Sequence, residues 1–271
     1  LNGIDYFKEK DTFDTFVEGK SNQLAKAAAK QVCENPGTAF NPLFLYGGVG
    51  LGKTHLMHAI GNQAVLKNPN LNVVVVTSER FTLDFVNSLR KNKTIEFAQQ
   101  YRSADMLLID DVQFFRGKEQ TQEQFFHTFN VLHQSGKQIV MTADKYPGEM
   151  KGLQARLLSR FQSGLSVDVQ PPNFEVRVAI LLEKAEQNGV ALDYEFIEFI
   201  AKHIKNNVRD LEGAVIRVLA KSSFVSPGNP TIKSDEKLIS GLIDFIRSTK
   251  LRYFSTLYLL LINSSIRSEP L

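Results

Sequence analysis

Between its proline and its leucine, the run Pro42-Leu43-Phe44-Leu45-Tyr46-Gly47-Gly48-Val49-Gly50-Leu51-Gly52-Lys53-Thr54-His55-Leu56 constrains the fold more than any other stretch of the chain. An apolar strand enters a glycine-rich turn, and a helix leaves it near Lys53. Counted from Gly47, the spacing is glycine, four residues, then Gly52-Lys53-Thr54, which is the complete P-loop pattern. Gly47, Gly48, Gly50 and Gly52 let successive backbone N–H groups point inward at phosphate oxygens, and the helix adds its positive N-terminal dipole. The Lys53 ammonium reaches the outer phosphates, and the Thr54 hydroxyl is placed to hold Mg2+. Strand, spacing and helix agree, which separates this loop from a glycine-rich turn without chemistry. The expected ligand is a nucleoside triphosphate, with His55 beside the loop.

A second element makes the first credible. Met106-Leu107-Leu108-Ile109-Asp110-Asp111 is an apolar strand ending in two carboxylates, and residues at the C-terminal end of such a strand lie at the crest of an open α/β sheet, where ligands bind. Asp110 is suited to hold Mg2+ through its water shell, and Asp111 to polarise an attacking water. Two acids ending a strand are common at a strand-to-loop exit; a P-loop upstream favours the functional reading.

Further strands are expected at Leu71–Thr77, at Lys137–Asp144 and at Leu165–Val169, alternating with helical segments. Helices are expected after a Ser21 cap, over residues 80–101 around the basic turn Arg90-Lys91-Asn92-Lys93, over Glu123–His133 and over 153–162. The alternation implies a doubly wound parallel sheet of five strands. Thr142 and Asp144 stand at the crest or cap the loop before Pro147. Arg156 and Arg160 share a helix face, as solvated arginines or as a finger reaching a neighbouring subunit's γ-phosphate.

Pro171-Pro172 marks a boundary, beyond which only helices are expected. These are Phe174 to Asn188 closed by Gly189, one from Asp193, and one capped by Asn207, together a small α-helical lid. Arg209 falls in the first turn of the last helix, where the macrodipole disfavours a cation, so either a nearby phosphate requires it or a small cost is tolerated. The expected organisation is residues 1–20 as an N-terminal linker near the adenine, 21–170 as the α/β nucleotide-binding domain, 171–224 as the lid, and 225–271 as a divergent tail. Tyr6, Phe7, Phe13 and Phe16 mark the linker as a segment that docks rather than a core element; its aromatics pack on the surface or stack on a base.

At 43% hydrophobic and 23% charged residues, the composition excludes a disordered chain, and a formal charge of +3 permits nucleic-acid binding without demanding it. The single Cys33 excludes an internal disulfide. The start lacks the pattern of a signal peptide, and the run Leu257 to Ile262 is far below the ~20 residues of a membrane helix, so a cytoplasmic protein is expected. His127 and His133 have no ligand-spaced partner.

Residues 12–224 closely resemble the nucleotide-binding domain of the DnaA family of bacterial chromosomal replication initiators, within the AAA+ ATPases. The resemblance rests on Phe13-Asp14-Thr15-Phe16-Val17-Glu18-Gly19-Lys20-Ser21-Asn22, the P-loop run, Ser78-Glu79-Arg80-Phe81, Leu108-Ile109-Asp110-Asp111-Val112-Gln113-Phe114-Phe115, Ser159-Arg160-Phe161 and Asn207-Val208-Arg209-Asp210-Leu211-Glu212-Gly213. It implies ATP/ADP and Mg2+ as cofactors, with Phe13, Phe16 and Val17 near the adenine, and Glu79 and Asp111 around the water. Asp144 resembles the sensor 1 acid, Arg160 the finger acting on the next subunit, and Arg209 the sensor 2 arginine reporting the γ-phosphate. The family assembles as an ATP-loaded filament on the replication origin and helps melt it, with slow hydrolysis as the reset.

A helical insertion at about residues 80–120 resembles the element that grips single-stranded DNA, with Val86 and Lys118 at its contact positions. Gln120 stands where a basic residue is usual; Arg116 and Lys118 keep the groove electropositive. Nothing in 225–271 resembles the family's C-terminal helix-turn-helix, nor does the chain show its N-terminal helicase-interaction domain. The tail is therefore expected to be a truncated or out-of-frame end, and duplex origin DNA is not an expected partner of this chain. Two other functions compete: a shortened initiator homologue acting as a nucleotide-bound regulator of the full-length initiator, and a helicase loader. The initiator-like runs argue against the loader.

Overall fold

The computed structural model describes residues 10–189, 191–205, 207–225 and 231–232. Tyr6, Phe7, most of the tail 225–271 and the run Leu257 to Ile262 lie outside them. Among the described residues no helix is long and apolar enough to cross a membrane.

The first half alternates α1 (Gln23–Glu34), β1 (Leu43–Tyr46), α2 (Lys53–Lys67), β2 (Val73–Thr77), α3 (Ser78–Arg90), α4 (Thr94–Arg102) and β3 (Met106–Asp110). A 3-10 turn, Val112–Phe115, leads into α5 (Glu119–Gln134), β4 (Gln138–Ala143), α6 (Ala155–Phe161) and β5 (Leu165–Asp168). The five strands form one sheet in the order β2-β3-β4-β1-β5, every neighbouring pair parallel. Parallel strands need crossovers, and the helices that supply them cover both faces, which is why these strands read as continuous apolar runs.

The period-2 geometry of a strand sorts each run between two cores. Leu43, Leu45, Val73, Val75, Leu108 and Val140 face α1 and α2. Phe44, Val74, Val76, Leu107, Ile109, Ile139 and Met141 face the opposite layer, with Phe81, Phe125, Phe129 and Phe161. The doubly wound sheet expected from the alternation is therefore present. A third cluster joins α7 (Phe174–Gln187), α8 (Tyr194–His203) and α9 (Val208–Val225) through Leu181, Phe196, Ile200, Leu211 and Val215. Arg177 is buried within it, its guanidinium donating to Pro172 O and Ala201 O at 2.8 Å each.

Several expectations need correction. Ser21 does not cap α1: the flanking residue is Asn22, whose amide folds back to accept from Gly19 N–H at 2.9 Å and donate to Val17 O at 3.0 Å. The stretch 80–120 is not one helical insertion, because β3 passes through it; only α3 and α4 lie between β2 and β3. The helix expected from Glu123 starts at Glu119. Beyond the double proline the chain is not helical throughout, since β6 (Ala191–Leu192) pairs in parallel with β7 (Thr231–Ile232). Phe13 and Phe16 are core residues, 7% and 6% exposed in the same cluster as α1 and α2. Both pack among the apolar side chains of α1 and α2, and the Lys26 and Lys30 ammonium groups lie over the Phe16 and Phe13 rings at 5.8 and 6.0 Å.

Cys33 lies in that core, and burial pushes its thiol up to about 12. A thiolate is the reactive form, so at pH 8 a maleimide or disulfide reagent is expected to label native protein at least about tenfold more slowly than urea-unfolded protein. Equal rates in the two states, followed by absorbance, would show the thiol to be accessible.

Candidate active site

Because β1 sits between β4 and β5, the loop after it lies beside the C-terminal end of β4, with β3 one strand further on. Lys53, the first residue of α2 and 5% exposed, donates to Gly47 O at 2.8 Å, to Gly48 O at 2.7 Å and to Asp144 Oδ1 at 3.1 Å. Thr54 donates its hydroxyl to Asp110 Oδ2 at 3.0 Å. Thr142, inside β4, donates to the Asp110 carboxylate and accepts from Asp111 N–H at 2.9 Å. Lys53, Thr54, Asp110, Asp111 and Asp144, expected from separate segments, thus meet in one network.

Asp111 holds a left-handed backbone, φ 56° and ψ 52°, uncommon for a residue with a side chain. Three contacts fix it there: the Thr142 hydroxyl on its N–H, the Ser78 hydroxyl donating to its carbonyl at 2.6 Å, and Phe114 N–H donating to the same carbonyl at 3.1 Å. Burial first, and then neighbouring Asp110, push the Asp111 carboxyl above its usual value. Gln113 donates to Asp111 Oδ1 at 3.1 Å and to Asp144 Oδ2 at 3.2 Å. Neither Gln113 nor Ser78 had an individual role from sequence; both signals were polar residues within matched runs, with no spacing rule to single them out.

The donor set fits a nucleotide-borne Mg2+. That ion takes one or two protein oxygens and completes its octahedron with water and phosphate oxygens. Thr54 Oγ1 and the Asp110 carboxylate supply such a pair next to the loop, and no group of three or more metal-binding side chains exists among the described residues.

The third helical layer touches the loop directly. Val208 N–H, at the start of α9, donates to Gly50 O at 2.9 Å, and Asn207 Oδ1 accepts from Arg209 N–H at 3.0 Å. A side chain at Gly50, where φ is +74°, would place its Cβ 1.8 Å from Asn207 Oδ1, so this contact requires glycine. The exposed Arg209 follows Val208 directly, so its main chain is tied beside the loop in the first turn of α9.

A cleft between the loop, the N-terminal segment and α7 is lined by Phe16, Val17, Leu51, His55, Lys184 and Val208. Phe16 packs on Gly52, and His55 meets Phe16 edge-on at a ring separation of 5.2 Å. His55 Nε2–H also donates to Thr12 O at 2.8 Å, which pins residues 11–16 to α2. Phe13 is buried behind this segment.

Other expected residues stand apart from the network. Glu79 is exposed in the first turn of α3, next to Ser78. Arg160 is exposed on α6, its guanidinium 5.8 Å from the Phe126 ring; Arg156 pairs with Glu123 at 3.7 Å, whereas no ion pair involves Arg160 among the described residues. Val86, half-buried on α3, and Lys118, just before α5, take no part in the loop contacts.

Comparison with known proteins gives consistent matches. A model of the bacterial DnaA ATPase domain matches residues 7–168. Domain III of the Thermotoga maritima replication initiation protein DnaA is 42% identical with a TM-score of 0.84, the match covering 89% of this chain and 98% of that one. A replication initiator DnaA bound to AMPPCP and single-stranded DNA is 38% identical, with a TM-score of 0.74 over 80% of this chain and 67% of that one. The AMPPCP-bound DnaA from Aquifex aeolicus matches with the same identity, 38%, the same TM-score, 0.74, and the same coverage, 80% and 67%.

Proposed function

The chain belongs to the bacterial DnaA ATPase-domain family, and from that premise we propose that it is an ATP-dependent replication initiator core, which binds and slowly hydrolyses ATP, assembles on origin DNA and promotes its melting. The observation that carries the reading is the single network joining Lys53, Thr54, Asp110, Asp111 and Asp144, with the first turn of α9 seated on Gly50. Solved relatives bound to AMPPCP and to single-stranded DNA support both ligands.

In this reading Phe16, Val17 and His55 line the adenine cleft, with Phe13 anchoring the segment that carries them. Backbone N–H groups of Gly48, Gly50 and Gly52 and the Lys53 ammonium hold the phosphates. Thr54 and Asp110 would hold Mg2+, which would supply positive charge against the phosphates. Asp111 orients the attacking water and accepts its hydrogen bond, with Glu79 beside it; Asp144 and Arg209 report the γ-phosphate. Arg160, exposed and unpaired by any described carboxylate, reaches the phosphate of the next subunit, a contact worth about 10³-fold or more in rate for such fingers. Val86 and Lys118 face single-stranded DNA in the assembly. Residues 171–224 act as the lid over the domain formed by 21–170, in a cytoplasmic protein.

The test is ATP-dependent assembly on single-stranded DNA, read by sedimentation, with Arg160→Ala for comparison. Wild-type protein is expected to form oligomers with ATP and to bind DNA at least about tenfold more tightly than with ADP. Arg160→Ala is expected to bind ATP within threefold of wild type and to remain monomeric. A wild-type protein that stays monomeric with ATP, and whose DNA affinity ignores the nucleotide, would refute the initiator-core reading.

A further inference from the structure

The 3-10 turn after β3 carries a side chain that the proposed chemistry leaves unused. Gln113 Nε2 lies 3.1 Å from Asp111 Oδ1 and 3.2 Å from Asp144 Oδ2. That environment fixes which end of the amide is nitrogen, because an oxygen facing two carboxylates would meet only acceptors. Both N–H groups are therefore committed, one to each acid. The amide oxygen Oε1 is buried and has no hydrogen-bond partner among the described residues. A purely structural glutamine is expected to satisfy both ends; this one leaves its acceptor orphaned while serving the two acids.

The rest of the geometry makes the amide decisive. The Asp111 main chain is already clamped at N–H and carbonyl, so only its side-chain torsions remain free, and Gln113 sets them. Asp144 gives one oxygen to Lys53 and the other to Gln113. Without the shared donor, two carboxylates facing the same space would repel and swing apart. The turn that bears Gln113 is itself rigid, because its flanking Val112 and Phe115 are fully buried.

We propose that Gln113 is a positioning residue for ATP hydrolysis, whose amide locks the carboxylates of Asp111 and Asp144 into one fixed relation. The assignment rests on the hydrolysis reading above and extends it to a residue with no assigned role. Gln113 acts on the water through Asp111, whereas Asp144 is held by Lys53 as well, so the amide contributes little to holding the nucleotide.

The experiment measures single-turnover hydrolysis and, separately, equilibrium binding of ATP by fluorescence titration, for wild type, Gln113→Met, Asp111→Asn and the double variant. Methionine keeps the length and removes the donors. A misplaced catalytic group costs on the order of 10²-fold, so Gln113→Met is expected to slow hydrolysis about 10- to 100-fold while ATP affinity stays within threefold. Adding it to Asp111→Asn is expected to cost less than threefold more, since the carboxylate it positions is gone. Hydrolysis by Gln113→Met within twofold of wild type, with Asp111→Asn strongly impaired, overturns the clamp and leaves the hydrolysis reading standing. Affinity and rate falling by the same factor also overturns it, because that pattern belongs to a structural residue. An Asp111→Asn variant as fast as wild type sinks both readings together.

Discussion

Lys53→Ala is expected to weaken ATP binding by about 30- to 3,000-fold, the equivalent of about 2–5 kcal/mol for deleting one partner of a desolvated charge pair. The ammonium is 5% exposed and converges with Gly47 O, Gly48 O and Asp144 Oδ1, so no solvent-borne cation can take its place without rearranging the loop. Backbone N–H groups remain after the substitution, but they are dipoles rather than a full charge. A thermal-shift titration reads the effect: wild-type protein gains stability with ATP as RT ln(1 + [ATP]/Kd), and the variant is expected to show almost none of that gain at the same concentrations. A Kd within threefold of wild type would remove Lys53 from the phosphate site.

The second large effect lies away from the ligand. Phe81→Ala is expected to lower the unfolding free energy by about 3–5 kcal/mol, read from urea titration, which is a large share of the usual stability of a domain. Phe81 is fully buried, with ring centroids at 4.7 Å from Tyr101, 5.2 Å from Phe97, 5.4 Å from Phe125 and 5.8 Å from Phe115. Those four rings belong to α4, α5 and the 3-10 turn, so one side chain ties three segments to α3. Truncation loses the transfer energy of the ring and its edge-on contacts, and the cavity cannot close because each wall is itself a rigid aromatic. A loss below about 1 kcal/mol would mean that the layer repacks, contrary to the close packing of its walls. The turn also bears Gln113, which makes this core the foundation of the site above it.

Much of the fold was legible in local patterns. The apolar runs at Leu43–Tyr46, Val73–Thr77 and Met106–Asp110 predicted their strands because a strand buried on both faces needs no polar alternation. The P-loop was legible because phosphate binding imposes fixed glycine spacing over a few residues. Phe13 and Phe16 read from sequence as docked aromatics, packed on the surface or stacked on a base, because the polar residues around them hide the fact that α1 and α2 offer a cleft. Ser21 reads from sequence as a cap, but α1 starts without a side-chain cap: the flanking Asn22 turns its amide back onto Gly19 and Val17, a choice made by the fold of residues 17–19.

By itself, then, the sequence determined the repeating strand and helix units, the phosphate loop and the acidic strand end, all set by spacing within one element. The tertiary structure alone decided the strand order β2-β3-β4-β1-β5, which brings Thr142 and Asp144 beside Asp110 and Lys53. It alone seated α9 on Gly50, and it alone made Gln113 a bridge between two acids. The reason is physical: side-chain periodicity is a local property of the chain, whereas the partners of a parallel sheet and of a crest-side network are chosen by packing between segments that the sequence leaves far apart.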